Sequence, residues 1–456
     1  MDTICAISTP YGCGGIAVVR VSGEQAIALA DSLFRGRIAL SGAPANTVHF
    51  GHIERNGETL DEVLVTVFHA PHSFTGEDVV ELSCHGSLYI QQELLRWLID
   101  AGCRMAKPGE FTQRAFLNGK MDLTEAEAVA DLIASQSKAE KDLALSQLRG
   151  SVSGELRGLR ERLLHFTSLV ELELDFADHE ELEFADRSEL TALAQEIEQK
   201  LTQLTRSFKT GNAIRNGVPV AIVGATNAGK STLLNTLVGE ERAIVSDIRG
   251  TTRDTIEDTL VINGILFRLI DTAGIRETGD QLENMGIERS RQAAEKAQII
   301  VQVIDSTDPQ TDLTGIDLTG KTLLQVWNKA DLVDNVKCVM RNAQFTNLQT
   351  YKFTNSLHIS AKSGDVESLK EALARVAAEQ MDTTNTVTIS NARHYEALVR
   401  ALEAIRRVQQ GLKNGVSGEF LSMDLQDCLT ALGEITGQIT SQEVLNNIFS
   451  HFCIGK

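Results

Sequence analysis

The stretch Val218–Lys230, VPVAIVGATNAGK, constrains the fold more than any other part of the chain. Val220-Ala221-Ile222-Val223 has the apolar continuity of a buried strand. It leads into Gly224-Ala-Thr-Asn-Ala-Gly229-Lys230-Ser231, which fits G-x-x-x-x-G-K-[ST], and an apolar helical pattern begins at Leu233. Strand, glycine-rich turn and helix N-terminus are the context in which this motif wraps a phosphate chain. N–H groups at the helix start point at anionic oxygens, and the glycines let the backbone approach them. In that geometry Lys230 reaches the outer phosphates and the Ser231 hydroxyl holds Mg²⁺.

From about residue 214 to 382 the chain alternates strand and helix patterns. Thr259–Ile262 and Ile265–Ile270 flank Asn263-Gly264, a two-residue hairpin signal. Ile299–Ile304, Leu323–Val326 and Leu357–Ile359 are the apolar runs of strands covered by helices, and chemistry is expected at their C-terminal ends. Asp271-Thr272-Ala273-Gly274 follows the hairpin. Its aspartate supports Mg²⁺ through water, and the Gly274 N–H senses a γ-phosphate. Asn328-Lys329-Ala330-Asp331 ends the Leu323 run. The Asp331 carboxylate accepts from guanine N1–H and the N2 amino group, a pair of donors that adenine lacks. Ser360-Ala361-Lys362 offers a backbone N–H to guanine O6. In this order the four elements make a guanine-nucleotide site.

Thr251 and Thr252 lie in Asp247-Ile248-Arg249-Gly250-Thr251-Thr252-Arg253-Asp254. One of the two hydroxyls completes the Mg²⁺ shell, so the loop becomes an order–disorder switch set by the γ-phosphate. Many GTPases place a glutamine directly after D-x-x-G to orient the attacking water. Ile275 stands there instead and cannot hydrogen-bond to water. Hydrolysis must recruit another polar group and another positive charge. Asn227 offers a carbonyl oxygen near the phosphates, and switch-loop carbonyls could join it around a monovalent cation that stabilises developing charge. Glu283 is the nearest candidate to orient the water, with Glu277 and Asp280 also close.

At 456 residues the chain has room for about three domains. With 43 basic and 62 acidic residues its net charge is −19, which opposes strong binding of nucleic acid by bulk attraction. A nucleic-acid substrate therefore needs a local basic surface or a basic partner. Seven cysteines with no C-x-x-C pair favour a reduced, cytoplasmic protein without structural zinc. No secretory signal is visible, and no apolar run reaches the roughly 18 residues of a membrane span.

Residues 1 to about 118 mix strand runs (Ile16–Val21, Val63–Phe68, Val79–Ser83) with a helix over Tyr89–Ala101, the pattern of an α+β domain. Arg20 and Glu81 sit within apolar strands and, by themselves, read as solvent-face residues. Cys84 and His85 are adjacent on a strand, so they point to opposite faces and form no nucleophile–base pair. Leu145, Leu148, Val152, Leu156, Leu159, Leu163, Phe166 and Val170 form one stripe along a long helix. Gly150, Gly154 and Gly158 within it read as points of close helix packing, with a hinge as the second reading. The eight carboxylates of Glu171–Asp186, with no Lys or Arg among them, read as a solvated acidic face or loop before they read as a metal site. Further helix patterns run over Leu190–Phe208, Tyr395–Leu412, Leu421–Leu432 and Val444–Phe449. The two helical portions are expected to pack together, with the P-loop domain inserted between them.

Outside the nucleotide motifs, Ser73-Phe-Thr-Gly-Glu-Asp78, Pro108-Gly-Glu-Phe-Thr112, Arg114-Ala-Phe-Leu117, Leu432-Gly-Glu-Ile-Thr-Gly437 and the terminal Cys453-Ile-Gly-Lys456 stand out. With the inserted arrangement, these segments make the whole chain resemble the MnmE (TrmE) family of tRNA uridine-modification GTPases. The resemblance implies a multidomain α/β and α protein, in which a Ras-like P-loop G domain is inserted into a helical domain and preceded by an α+β tetrahydrofolate-binding domain. Its parts would be 1–118 (folate binding and homodimerisation), 119–213 and 383–456 (helical), and 214–382 (G domain).

By motif position the resemblance implies folate contacts at Arg20, Glu81, Lys120 and Lys456, with Cys453 in the tail near the folate. Cationic groups suit the carboxylates of folate, and a carboxylate suits the pterin N–H edge. The implied GTP contacts are Asn227, Ala228, Gly229, Lys230, Ser231 and Thr232; Ser246, Asp247, Ile248, Arg249, Gly250, Thr251 and Thr252; Asp271, Thr272, Ala273 and Gly274; Asn328, Lys329, Ala330 and Asp331; and Ser360, Ala361 and Lys362. Mg²⁺ falls on Ser231 and Thr252. K⁺ falls on the Asn227 side chain and the carbonyls of Ser246, Ile248 and Thr251. Glu283 and Lys230 take the catalytic roles. Thr226 departs from the proline common at its position, with no phosphate-contacting group lost.

The resemblance further implies a cytoplasmic homodimer that works with the FAD-binding partner MnmG, in a heterotetramer or larger. Together they would place a carboxymethylaminomethyl-type group on C5 of the wobble uridine (position 34) of certain tRNAs. The one-carbon donor would be a tetrahydrofolate derivative, 5,10-methylene-tetrahydrofolate or a 5-formyl analogue. A regulatory GTPase of ribosome assembly is the alternative reading.

Overall fold

Strands of alternating burial build the first sheet. The computed structural model describes residues 2–175, 187–241, 258–270, 291–311, 313, 315–333, 352–380 and 387–455. These divide into two units, residues 1–130 with 432–456, and residues 131–431.

The first unit holds β1 (Ile4–Ile7), β2 (Ile16–Ser22), β3 (Phe34–Gly36), β4 (Thr47–Arg55), β5 (Glu58–Phe68), β6 (Val79–His85) and β7 (Arg104–Met105), ordered β3-β4-β5-β6-β2-β1-β7. On β5 the side chains of Val63, Val65 and Val67 are buried while Leu64 and Thr66 face outward, the period-two signature of a one-sided sheet. Helices α1 (Ala26–Leu33) and α2 (Leu88–Ala101) cover the inner face, where Leu94, Trp97 and Leu98 join Val19, Val21, Val80 and Leu82 in one core. The C-terminal segment returns to this unit. Leu445, Phe449 and Phe452 pack with Leu123 and Ala126, from α4 (Leu123–Ala134), which follows α3 (Glu110–Leu117).

The second unit carries α5 (Lys138–Leu148), α6 (Ser151–Asp175) and α7 (Arg187–Asn216), then the P-loop domain. Its sheet is ordered β13-β12-β11-β8-β10-β9, from β8 (Val218–Val223), β9 (Asp258–Ile262), β10 (Ile265–Leu269), β11 (Ile299–Asp305), β12 (Thr322–Asn328) and β13 (Lys352–His358). Every pairing is parallel except the β9–β10 hairpin. Helices α8 (Lys230–Glu241) and α9 (Glu367–Gln380) belong to this domain; α10 (Ala392–Lys413) and most of α11 (Gly418–Thr436) follow it in the second unit, whereas α12 (Gln442–Ser450) belongs to the first. The core of the P-loop domain gathers Val220, Ile222, Leu233, Leu237, Phe267, Val301, Val303, Leu324 and Val326.

Two expectations are corrected. The stripe from Leu145 to Val170 is two helices, because Gly150 at φ 81 ends α5 and a new helix starts at Ser151. Gly154 and Gly158 are not close-packing points among the described residues, since a Cβ added at either meets nothing within 4 Å. The acidic side chains beyond Leu172 lie outside the described residues.

Candidate nucleotide and cofactor sites

At the C-terminal end of β8 the chain turns through Gly224 and Gly229 into α8. Gly229 has φ 94, and a Cβ there would overlap the Asn328 amide nitrogen. Only glycine fits. Lys230 Nζ donates to the carbonyls of Gly224 and Ala225 at 2.7 Å each, and burial lowers its pKa. Asn227 projects from an exposed, left-handed position at φ 64. Ser231 is half-buried, and Thr232 is exposed in the first turn of α8.

Asn328, 2% exposed at the end of β12, ties three loops together. Its Nδ2 donates to Ala228 O at 2.9 Å, and its Oδ1 accepts from Ala361 N at 3.0 Å. Ala330 N donates to Ile359 O at 3.0 Å. The Ser360 hydroxyl donates to Asp331 Oδ1 at 2.7 Å, which fixes the carboxylate that would read guanine. Lys362 is exposed beside them. The Gly224–Ser231 loop and the loops that follow β12 and β13 thus share a hydrogen-bonded frame.

Asp305 joins the site without a motif of its own. At the end of β11 it accepts from Lys329 Nζ at 2.5 Å and from Thr307 N and Oγ1 at 2.9 and 2.7 Å. Burial pushes its carboxyl up, and these donors outweigh that to leave it below the usual range. Its only signal in the sequence is an acid ending the apolar run Ile299–Ile304. Residues 246–252, Asp271, Thr272, Ala273, Gly274 and Glu283 lie outside the described residues.

In the first unit Arg20 and Glu81 are direct cross-strand partners on β2 and β6, with Arg20 Nε on Glu81 Oε1 at 2.9 Å. The guanidinium carbon lies 5.4 Å from the Phe74 ring centroid and 5.6 Å from that of Phe111. A cation, a carboxylate and two aromatic rings meet there on one sheet face. These groups fit a flat heterocycle with an acidic tail. Lys120 Nζ caps Pro71 O at 2.9 Å. Cys453 is exposed, its carbonyl accepts from Gly109 N at 3.4 Å, and Gly455 O accepts from the Ser8 hydroxyl at 3.1 Å. Lys456 lies outside the described residues. Cys84 is buried, with desolvation pushing its thiol up to about 11, whereas His85 is exposed and bonded to Asp61 at 2.7 Å. As expected, the two form no pair.

Two family models match the chain. One describes the GTP-binding protein TrmE N-terminus and covers residues 3–120; the other describes the MnmE helical domain and covers residues 123–453. The tRNA modification GTPase MnmE of Parabacteroides distasonis is 55% identical over 471 residues, covering 100% of both chains. The protein of that name from Bacteroides thetaiotaomicron is 52% identical, covering 100% of this chain and 99% of its own. That of Flavobacterium johnsoniae is 48% identical with the same coverage. Among the described residues no helix is long and apolar enough to cross a membrane.

Proposed function

This chain belongs to the MnmE (TrmE) family of tRNA modification GTPases, and we propose that it is a K⁺-activated GTP hydrolase serving wobble-uridine modification. The observation that carries the GTPase reading is the Asn328 frame, which binds the Gly224–Ser231 loop to the guanine-reading Asp331 and Ala361. In this reading Lys230 leaves the Gly224 and Ala225 carbonyls for the β- and γ-phosphates, and Ser231 and Thr252 hold Mg²⁺. The hydroxyl ligands suit a hard, oxygen-preferring ion. Asn227, with the carbonyls of Ser246, Ile248 and Thr251, holds K⁺, and Glu283 orients the attacking water. K⁺ supplies the positive charge at the transferring phosphoryl group that other GTPases take from an arginine.

Arg20, Glu81, Lys120 and Lys456 bind the tetrahydrofolate derivative, near the Cys453 tail. Support comes from the Arg20–Glu81 pair under Phe74 and Phe111. We divide the chain into a folate domain (1–118), a helical domain (119–213 and 383–456) and an inserted G domain (214–382). The working assembly is a cytoplasmic homodimer with the FAD-binding MnmG. It adds the carboxymethylaminomethyl group to C5 of uridine 34, while GTP hydrolysis reorganises the complex and leaves the carbon chemistry to folate and flavin. The acidic balance of the chain suits leaving much of the tRNA contact to the partner.

The cation assignment has a direct test. At equal ionic strength, exchanging K⁺ for Na⁺ should slow GTP hydrolysis on the order of 10²-fold, the size of one lost electrostatic stabiliser. Equal rates in the two salts remove K⁺ from the mechanism.

A further inference from the structure

The tip of the β9–β10 hairpin meets a helix, and its other end joins, in the sequence, the two segments that the GTPase reading makes γ-phosphate sensors. By chain order, β9 follows the segment holding Thr251 and Thr252, and β10 leads into Asp271-Thr-Ala-Gly274. Its tip, Asn263 at φ 51 and Gly264 at φ 78, is the left-handed pair of a two-residue turn. Gly264 O accepts from Ala139 N at 3.1 Å. Ala139 sits in the first turn of α5, where a helix has N–H groups with no partner of its own. Ser137 and Glu140 cap that turn too. The Ser137 hydroxyl accepts from Glu140 N at 3.2 Å, and Glu140 Oε2 accepts from Gln136 N at 2.7 Å. The tip carbonyl completes the cap.

The other end of α5 is also anchored. Gln147 Nε2 donates to Thr388 O at 3.1 Å and lies 3.0 Å from the Ser390 hydroxyl. Ile389 N in turn donates to Ser207 on α7 at 3.0 Å. A helix of 11 residues, about 16 Å long, therefore runs from the hairpin tip to the segment where the chain leaves the P-loop domain.

We infer that the Gly264 carbonyl and α5 form the strut that carries the nucleotide state to the helical elements. A shift of the γ-phosphate-sensing segments moves the hairpin along its length, and the tip loads or releases the first turn of α5. This inference rests on the GTPase reading and adds the route of transmission.

A disulfide can lock the contact. A Cβ built at Gly264 lies 3.3 Å from Lys138 Cβ, a few tenths of an ångström inside the usual disulfide range of about 3.5–4.5 Å, and φ 78 strains a cysteine there, so a second variant without a cross-link runs beside it. Hydrogen exchange of residues 138–148 is measured in the full-length Lys138→Cys/Gly264→Cys variant, reduced and oxidised, with GDP or a non-hydrolysable GTP analogue. Each single-cysteine variant serves as a control, because the chain has seven cysteines of its own. The wild type and the reduced variant should exchange at least several-fold differently in the two nucleotide states, and oxidation should abolish the difference. Ala139→Pro, which removes the donor at the second position of α5, should abolish it without a cross-link, and Ala139→Gly, which keeps the N–H while loosening the same turn, should preserve it. Equal exchange in both states of the wild type, or a difference that survives the cross-link and the proline, overturns the strut. Loss of nucleotide binding in the wild type would instead defeat the GTPase reading, so the two failures are separable.

Discussion

Asp331→Asn should lower GTP affinity by roughly a hundredfold and raise affinity for xanthosine triphosphate. The carboxylate is held by the Ser360 hydroxyl at 2.7 Å, so it presents a fixed pair of acceptors to the donors on guanine N1 and N2. Asparagine turns one acceptor into a donor and sets it against the N2 amino group. Losing a charge-assisted hydrogen bond and facing two donors together costs about 3 kcal/mol. Xanthine has a carbonyl in place of that amino group, so the new amide complements it. Titration with labelled GTP and xanthosine triphosphate checks both signs. Unchanged preference for guanine would place base recognition elsewhere.

Arg114→Ala should destabilise the first unit by about 3–5 kcal/mol, the cost of breaking a buried ion pair from one side. The Arg114 side chain is 4% exposed. Its guanidinium donates to Asp2 O, Asp2 Oδ1, both Glu77 oxygens and Glu110 Oε1. Truncation leaves the half-buried Glu77 and the buried Glu110 with a partner missing. Lysine should rescue only part of the loss, because a point charge cannot reproduce the planar fork. Calorimetry of the unit's unfolding transition gives the difference, and a change under 1 kcal/mol would contradict the assignment.

The same cluster sets an acid limit. The Arg104 guanidinium holds Asp2 at about 2. Burial pushes Glu110 up, and Arg104, Lys107 N–H and Arg114 more than offset it, leaving its carboxyl below the usual range. A carboxylate depressed on folding contributes stability above its unfolded pKa near 4 and loses it as pH falls through its folded value. The unit should therefore weaken between about pH 4 and pH 2, and Arg114→Ala should lose part of that dependence.

The strongest local patterns carried the most information. Gly224–Ser231 announces a strand, a phosphate loop and a helix, and Asn263-Gly264 announces its hairpin, because both need backbone conformations that few residues adopt. The periodicity of Tyr89–Ala101 likewise gives a helix one residue longer, Leu88–Ala101. The break at Gly150 was masked because the apolar stripe keeps its phase on both sides of the turn. Strand β13 begins at Lys352, before the apolar run at Leu357 that signals it. The Arg114 cluster joins residues 112 and 37 positions apart, and no local pattern encodes such pairing. Arg20 and Glu81, read singly as solvent-face residues, turn out to be half-buried partners. Asp305 was legible only as the polar end of a strand.

The most direct test is the nucleoside composition of tRNA from cells that lack this protein, measured by mass spectrometry. The account predicts wobble uridines without the C5 carboxymethylaminomethyl group, restored by the wild-type chain and not by Lys230→Ala. Fully modified wobble uridine in cells without the protein would contradict it.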